Sequence, residues 1–223
     1  MNPGVRVAAG VTLVALGVLA GVGLQRGLAP RATLRPQTTA AHAPPRPGTS
    51  SRRVVPTVLP DLALSDPAGV SHRLTEWAAH PLILNFWATW CEPCRREIPL
   101  LIRLRHERAA AGLEVVGIAV DFRAAVIEYA RDAGIDYPLL VGESDGLEAV
   151  NAFGMPLVFP FSVFADARGR IVALKVGELH RDEADFILDR VLDVDRGTLS
   201  LEAARQQIEA RLKDLAIERA KHA

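Results

Sequence analysis

Cys91 and Cys94 are the only cysteines in the 223-residue chain, and Glu92 and Pro93 separate them. A Cys-x-x-Cys pair either exchanges disulfides or supplies half of a zinc site. Before the pair, Leu82-Ile83-Leu84 is a continuous apolar run that reads as a buried strand, and it leads into Trp87-Ala88-Thr89-Trp90. After the pair, Arg95 to Arg108 has helical character. The cysteines therefore sit at a strand-to-helix junction. A sulfur in the first turn of a helix faces backbone N–H groups without helical partners and the positive end of the dipole, which stabilises the reactive thiolate. Residues three apart share a helix face, so the two sulfurs can bridge. Pro93 fits a first turn because no helical bond needs its N–H. Cys91, at the exposed helix start, is the attacking thiol, and Cys94, one turn in, resolves the mixed disulfide.

The zinc reading needs further ligands from His72, His80 or His106, and these have no recognisable ligand spacing. Glu92 lies beside Cys91. Its charge disfavours the thiolate and raises the Cys91 pKa against the dipole. A less stabilised thiolate favours the disulfide form and makes the pair a better reductant. Glu92 can also carry the proton to and from Cys91, although an ordinary exposed glutamate in a first helical turn is the plain alternative. Trp87 suits core or rim, and Trp90, next to Cys91, is the candidate for substrate contact. Asp121 reads as a helix cap.

The stretch Asn85-Phe86-Trp87-Ala88-Thr89-Trp90-Cys91-Glu92-Pro93-Cys94-Arg95-Arg96-Glu97-Ile98-Pro99 resembles the membrane-anchored thioredoxin-like reductases of the TlpA/ResA/DsbE type, and a weaker likeness runs from about Val58 to about Val194. The resemblance implies an α/β thioredoxin fold, a central mixed sheet flanked by helices and preceded by a β-hairpin. It implies thiol-disulfide exchange outside the cytoplasm with protein thiols and disulfides as partners and a membrane-embedded thiol as electron donor. Cytochrome c and copper-site maturation are the candidate processes. No cofactor is implied beyond the redox-active Cys91–Cys94 pair, and no metal.

Asn85 stands where cytoplasmic thioredoxins resemble it but carry a buried Asp, and an amide cannot replace that base. The family's cis proline falls on Pro156 or Pro160. Pro160 fits better, because a strand from Phe161 to Ala165 and the turn Asp166–Gly169 follow it. Phe159, Pro93 and Trp90 are then the substrate-facing residues. The alternatives are a thiol oxidase on the same fold or a non-catalytic metal-binding or delivery module.

The elements that must position this site follow along the chain. Leu62-Ala63-Leu64 and Val70 to Leu74 flank the turn-forming Asp66-Pro67-Ala68-Gly69 and read as a hairpin. The helix after the cysteines runs to about Ala111 and stops at Gly112. Leu113–Val120 is a buried parallel strand, Ala124–Ala133 a helix, Tyr137–Val141 a short strand and Gly146–Ala152 a short helix. Phe161–Ala165 and Arg170–Val176 make a second hairpin, and Asp182–Val194 is a helix. Ser200 caps a last helix whose Leu201, Ala204, Ile208, Leu212 and Leu215 recur at helical spacing.

Residues 1–26 are a membrane anchor or cleaved signal, because Val7–Leu24 is free of charge and about long enough to span a bilayer. Basic residues Arg26, Arg31 and Arg35 outnumber Arg6 across that segment, which by charge alone places the C-terminal side in the cytoplasm. The resemblance places it outside, facing the periplasm or cell exterior, and is followed here. Residues 27–57 are a Pro/Ala/Arg-rich flexible tether, 58–196 the thioredoxin-like domain, and 197–223 an amphipathic helix. Lys and Arg total 26 against 26 for Asp and Glu, so charge gives no reason to expect nucleic acid as a partner.

Overall fold

A computed structural model describes residues 54–221. The anchor and most of the tether lie outside the described residues. Among the described residues no helix is long and apolar enough to cross a membrane. Val54 to Thr57, read from sequence as the end of the tether, already meet the domain: the Thr57 carbonyl accepts from Ile171 N–H at 2.9 Å, and Leu59 N–H donates to the Gly169 carbonyl at 2.8 Å.

Seven strands form one mixed sheet: β1 (Ala63–Ser65), β2 (Ser71–Arg73), β3 (Leu82–Trp87), β4 (Glu114–Ala119), β5 (Leu139–Val141), β6 (Phe161–Ala165) and β7 (Ile171–Val176). Their order is β2-β1-β5-β4-β3-β6-β7. β3, β4 and β5 run parallel, and β6 pairs antiparallel with both β3 and β7. The helices are α1 (Glu92–Glu107), α2 (Arg123–Ala133), α3 (Ser144–Ala152), α4 (Arg181–Asp195) and α5 (Leu201–Ala220).

The two hairpin turns share a device. In Asp66-Pro67-Ala68-Gly69 the aspartate Oδ1 accepts from Ala68 and Val70 N–H, each at 2.8 Å. In Asp166-Ala167-Arg168-Gly169 the same oxygen accepts from Arg168 and Arg170 N–H at 3.0 and 2.8 Å. Each turn ends on a glycine with positive φ, +91° and +71°, which a side chain would resist.

The cysteine-bearing helix is shorter than the sequence suggests. α1 runs through Pro99 but ends at Glu107, and a separate 3-10 turn, Ala109–Ala111, precedes Gly112. Arg108 marks the break; its guanidinium turns away to Asp189 and Asp185 on α4, at 2.7 and 3.0 Å.

Alternation along β3 divides the core. Leu82, Leu84 and Phe86 join the cluster over α3, with Val116, Ile118, Phe153, Phe161 and Val163. Ile83 faces the opposite layer, where Leu101 and Leu104 of α1 meet Ile187, Leu188 and Val191 of α4. Gly117 on β4 pairs with Asn85 and leaves room for neighbours: a Cβ there would lie 2.6 Å from Leu139 Cδ2 and 3.1 Å from both Trp87 Nε1 and the Tyr137 ring. The last helix is capped by Ser200, whose Oγ accepts from Ala203 N–H at 3.2 Å, and it buries Ala204, Ile208 and Leu215. Of the five positions predicted from its spacing, Leu201 and Leu212 are partly buried against the same cluster.

Candidate active site

β3 ends at Trp87, and four residues later Cys91 occupies the N-cap of α1 in extended geometry. Its Sγ accepts from Cys94 N–H at 3.3 Å, the place where a capping side chain normally satisfies a free helical donor. The two cysteines are joined by a disulfide with their Cα atoms 5.3 Å apart. Cys94 is fully buried, whereas Cys91 keeps 5% of its surface in solvent. Trp87, Ala88, Ile98, Ala119, Val126 and Val141 pack around the pair as a small apolar cluster. Trp87 is thus core, and Trp90, 68% exposed, is rim.

Pro160 carries the cis bond, to Phe159, and Pro156 does not. Phe159 packs on the apolar cluster around the cysteines. Its ring lies edge-on to Trp90 at 6.0 Å and parallel to Phe161 at 6.4 Å, and Phe161 stacks on Phe86 at 4.2 Å. The core therefore anchors Phe159, and Phe159 in turn supports the exposed indole. Leu157 and Val158, just before it, are also exposed. Pro93 is half-buried in the first turn of α1.

Glu92 does not stand alone beside Cys91. Its Oε1 accepts from Arg96 Nη1 at 2.9 Å, and the same guanidinium donates to Glu178 Oε2 at 2.7 and 2.9 Å. Two carboxylates share one cation, while Arg95 turns instead over the Tyr129 ring, 5.5 Å from its centroid. Arg96 partly neutralises Glu92, and the exposure of the Glu92 side chain weakens its field further.

The sequence reading passed over Glu97. This residue is 2% exposed, one helical turn past Cys94 on the same face. Oε1 accepts from Asn85 Nδ2 at 2.6 Å, and Oε2 accepts from Leu179 N–H at 2.6 Å. The same Asn85 amide also donates to Ser162 Oγ at 3.0 Å. Burial pushes the carboxyl up to about 7, against the two hydrogen bonds that favour its charged form. The signal was present: Cys94, Glu97, Ile98 and Leu101 form an i, i+3, i+4, i+7 stripe, and all four are buried. Asn85 is no base, as expected, but it holds one.

Asp121 is not a helix cap. α2 begins after Phe122 without a side-chain cap bond. Asp121 Oδ2 instead accepts from Thr89 N–H and Oγ1–H at 2.9 and 2.6 Å, and so ties the end of β4 to the loop that carries Trp90 and Cys91. The three histidines are placed away from the cysteines. His72 sits on β2 at the sheet edge, between Asp66 and Glu76. His80 precedes β3, and His106, paired with Asp136, is at the far end of α1, about 18 Å along the axis from Cys94. Among the described residues no three metal-binding side chains gather.

The comparisons agree with this geometry. The family model described as the AhpC/TSA family matches residues 55–174. The thiol-disulfide oxidoreductase ResA of Geobacillus thermodenitrificans is 31% identical over 139 residues, covering 61% of this chain and 78% of that protein. The thioredoxin-like protein YneN of Bacillus subtilis is 29% identical, covering 58% and 76%. Among solved structures, a thioredoxin-family thiol:disulfide interchange protein from Chlorobium tepidum has 30% identity and a TM-score of 0.55, covering 62% of this chain and 98% of that one. A secreted thiol-disulfide isomerase from Corynebacterium glutamicum has 28% identity and a TM-score of 0.56, covering 60% and 85%. With a bonded Cys-x-x-Cys pair at the start of the helix that follows a central strand, on a thioredoxin-like fold, the chain belongs to the AhpC/TSA family and is a thiol-disulfide oxidoreductase.

Proposed function

We propose that the chain works outside the cytoplasm as a reductant of protein disulfides, held at the membrane by its N-terminal segment. One observation supports the chemistry most directly: the outer sulfur of the couple opens at a helix start, and the inner sulfur lies one turn from a buried carboxylic acid. In the reduced protein the Cys91 thiolate attacks one sulfur of a substrate disulfide. A Cys91–substrate bond forms, and the first substrate thiolate leaves and takes a proton from water. Cys94 then gives its proton to Glu97, and its sulfur attacks Cys91 Sγ. The mixed disulfide breaks, the Cys91–Cys94 bond forms, and the second substrate sulfur leaves as a thiolate that takes a proton from water. Two electrons have passed from the dithiol to the substrate. A membrane-embedded thiol donor restores the dithiol, and the couple needs no further cofactor.

Phe159, Pro93 and the exposed Trp90, with Leu157 and Val158, offer an apolar face beside Cys91 that suits an extended, partly unfolded substrate. Apocytochrome c and copper-site proteins fit that description.

The Glu92 carboxylate next to Cys91, partly offset by Arg96, supports the reducing direction. Glu92→Gln is expected to raise the reduction potential, by about 30 mV or less because Arg96 and solvent already screen the charge. Redox titration against glutathione, together with insulin-reduction turnover, measures it. A fall in potential, or a wild-type protein that oxidises thiols faster than it reduces disulfides, points to the oxidase.

For location, a membrane-impermeant thiol reagent is expected to label reduced Cys91 in intact spheroplasts. Labelling only after lysis puts the domain in the cytoplasm, as the arginine count would have it.

A further inference from the structure

The loop 177–180, between β7 and α4, bonds to the cis proline, to the cation that Glu92 holds and to the buried Glu97. Gly177 N–H donates to the Pro160 carbonyl at 2.8 Å. Glu178 takes Arg96, and Leu179 N–H holds Glu97. The loop is itself held from behind. Lys175 Nζ donates to the carbonyls of Val176 and Glu178, at 2.9 and 3.1 Å, and lies 3.5 Å from Glu183 Oε2. That same oxygen accepts from His180 N–H at 3.0 Å. Glu183 is buried, and its other oxygen accepts from Arg219 Nη1 at 2.6 Å, while Nη2 donates to Asp182 at 2.5 Å.

Arg219 belongs to the last turn of α5. Near the other end of that helix, Arg205 donates twice to the Ile171 carbonyl at the start of β7, at 3.1 and 2.5 Å. A fork across two carboxylates fixes both position and angle, which one exposed ion pair does not. The helix therefore spans β7, the loop and the start of α4, with an arginine anchor near each end and an apolar face between.

We propose that α5 braces the redox site, with Arg219 as a positioning residue that acts through Glu183, Lys175 and the 177–180 loop to keep the Leu179 N–H on Glu97. The proposal rests on the reading that Glu97 serves Cys94, but the hydrogen bond it concerns can be observed without that reading. Glu97 is faced by Lys175 of β7, by Glu178 of the loop, by Tyr137 ahead of β5, and by the neutral Asn85 and Ser162. If Arg219 is lost, Lys175 is the one cation left to Glu183 among the described residues, and Glu183 draws it from the loop carbonyls. The loop loosens, and the Glu97 carboxylate loses a donor.

The test is Arg219→Ala in the full chain, with Arg219→Gln read alongside it in case the alanine variant does not fold. The amide exchange of Leu179 and Gly177 is expected to quicken by about tenfold or more. The Glu97 carboxyl, followed by carbon NMR, is expected to titrate about half a pH unit higher or more. Arg219→Lys keeps the charge but not the fork, and should recover only a minor part of each. Arg211→Ala, on the same helix and paired with the exposed Glu218, should change neither. A lower melting temperature with wild-type Leu179 exchange and wild-type Glu97 titration overturns the brace. If Glu97→Gln leaves the pH profile of disulfide exchange unchanged, the role of Glu97 fails, while exchange and carboxyl titration still decide the brace.

Discussion

Cys91→Ser is expected to reduce disulfide exchange to the uncatalysed background, and Cys94→Ser is expected to stop half-way with its substrate attached. The asymmetry follows from position. Cys91 caps the helix, faces its free N–H groups and reaches solvent, while Cys94 is sealed beneath it. Without Cys91 there is no accessible thiolate to attack a substrate. Without Cys94 the first step proceeds and the mixed disulfide cannot be resolved from inside the protein. Non-reducing gels of both variants, after incubation in cells or with a disulfide-bonded substrate, read the result directly. Equal trapping by the two variants would mean that the buried sulfur is as reachable as the exposed one and that the helix start does not choose the nucleophile.

The second large effect concerns pH. Glu97 is held at about 7 in the folded protein, against an ordinary value of 4.5. The folded state therefore binds its proton more tightly than the unfolded chain does. The stabilisation from the neutral carboxyl is complete below about pH 4.5 and is lost as pH rises through about 7. The shift corresponds to about 3 kcal/mol across that window, as an order of magnitude.

Glu97→Gln removes the titration while keeping the shape and an acceptor for Leu179 N–H. Urea unfolding of the oxidised proteins at intervals from pH 4 to 8 is expected to show the wild type losing stability relative to the variant by that amount. Groups elsewhere, such as His72, whose two carboxylate neighbours hold it above its ordinary range, cancel in the difference. Parallel curves would show that Glu97 titrates normally and that its burial costs nothing in charge. In the dithiol form, the same variant should lose the acceptor for the Cys94 proton, and the mixed disulfide should then resolve more slowly near neutral pH.

Much of the site is written locally. A strand, two cysteines and a helix in immediate succession specify where the sulfurs stand and which one is outermost, because capping and the helix dipole act within one turn. The aspartate–glycine turns, the Ser200 cap and the apolar spacing of α5 are legible for the same reason: each depends on residues a few positions apart. The choice of Pro160 over Pro156 came from the strand and turn that follow it.

What the sequence could not decide depends on distant partners. Glu97 in Arg-Arg-Glu-Ile-Pro looks like one more exposed charge on a helix. It becomes a buried acid because Asn85, 12 residues before it, and the Leu179 N–H, 82 residues after it, close over it. Asp121 has the local look of a cap, yet Thr89, 32 residues earlier, captures both hydrogen bonds its Oδ2 can make. Glu92 has its partner four residues on, Arg96 of the same helix, but only the fold brings Glu178, 82 residues beyond Arg96, to share that cation. Burial and ion pairing are properties of the packed sheet and its helices. A charge can be read from sequence, but its pKa depends on what removes water from it, and only the tertiary structure brings those groups together.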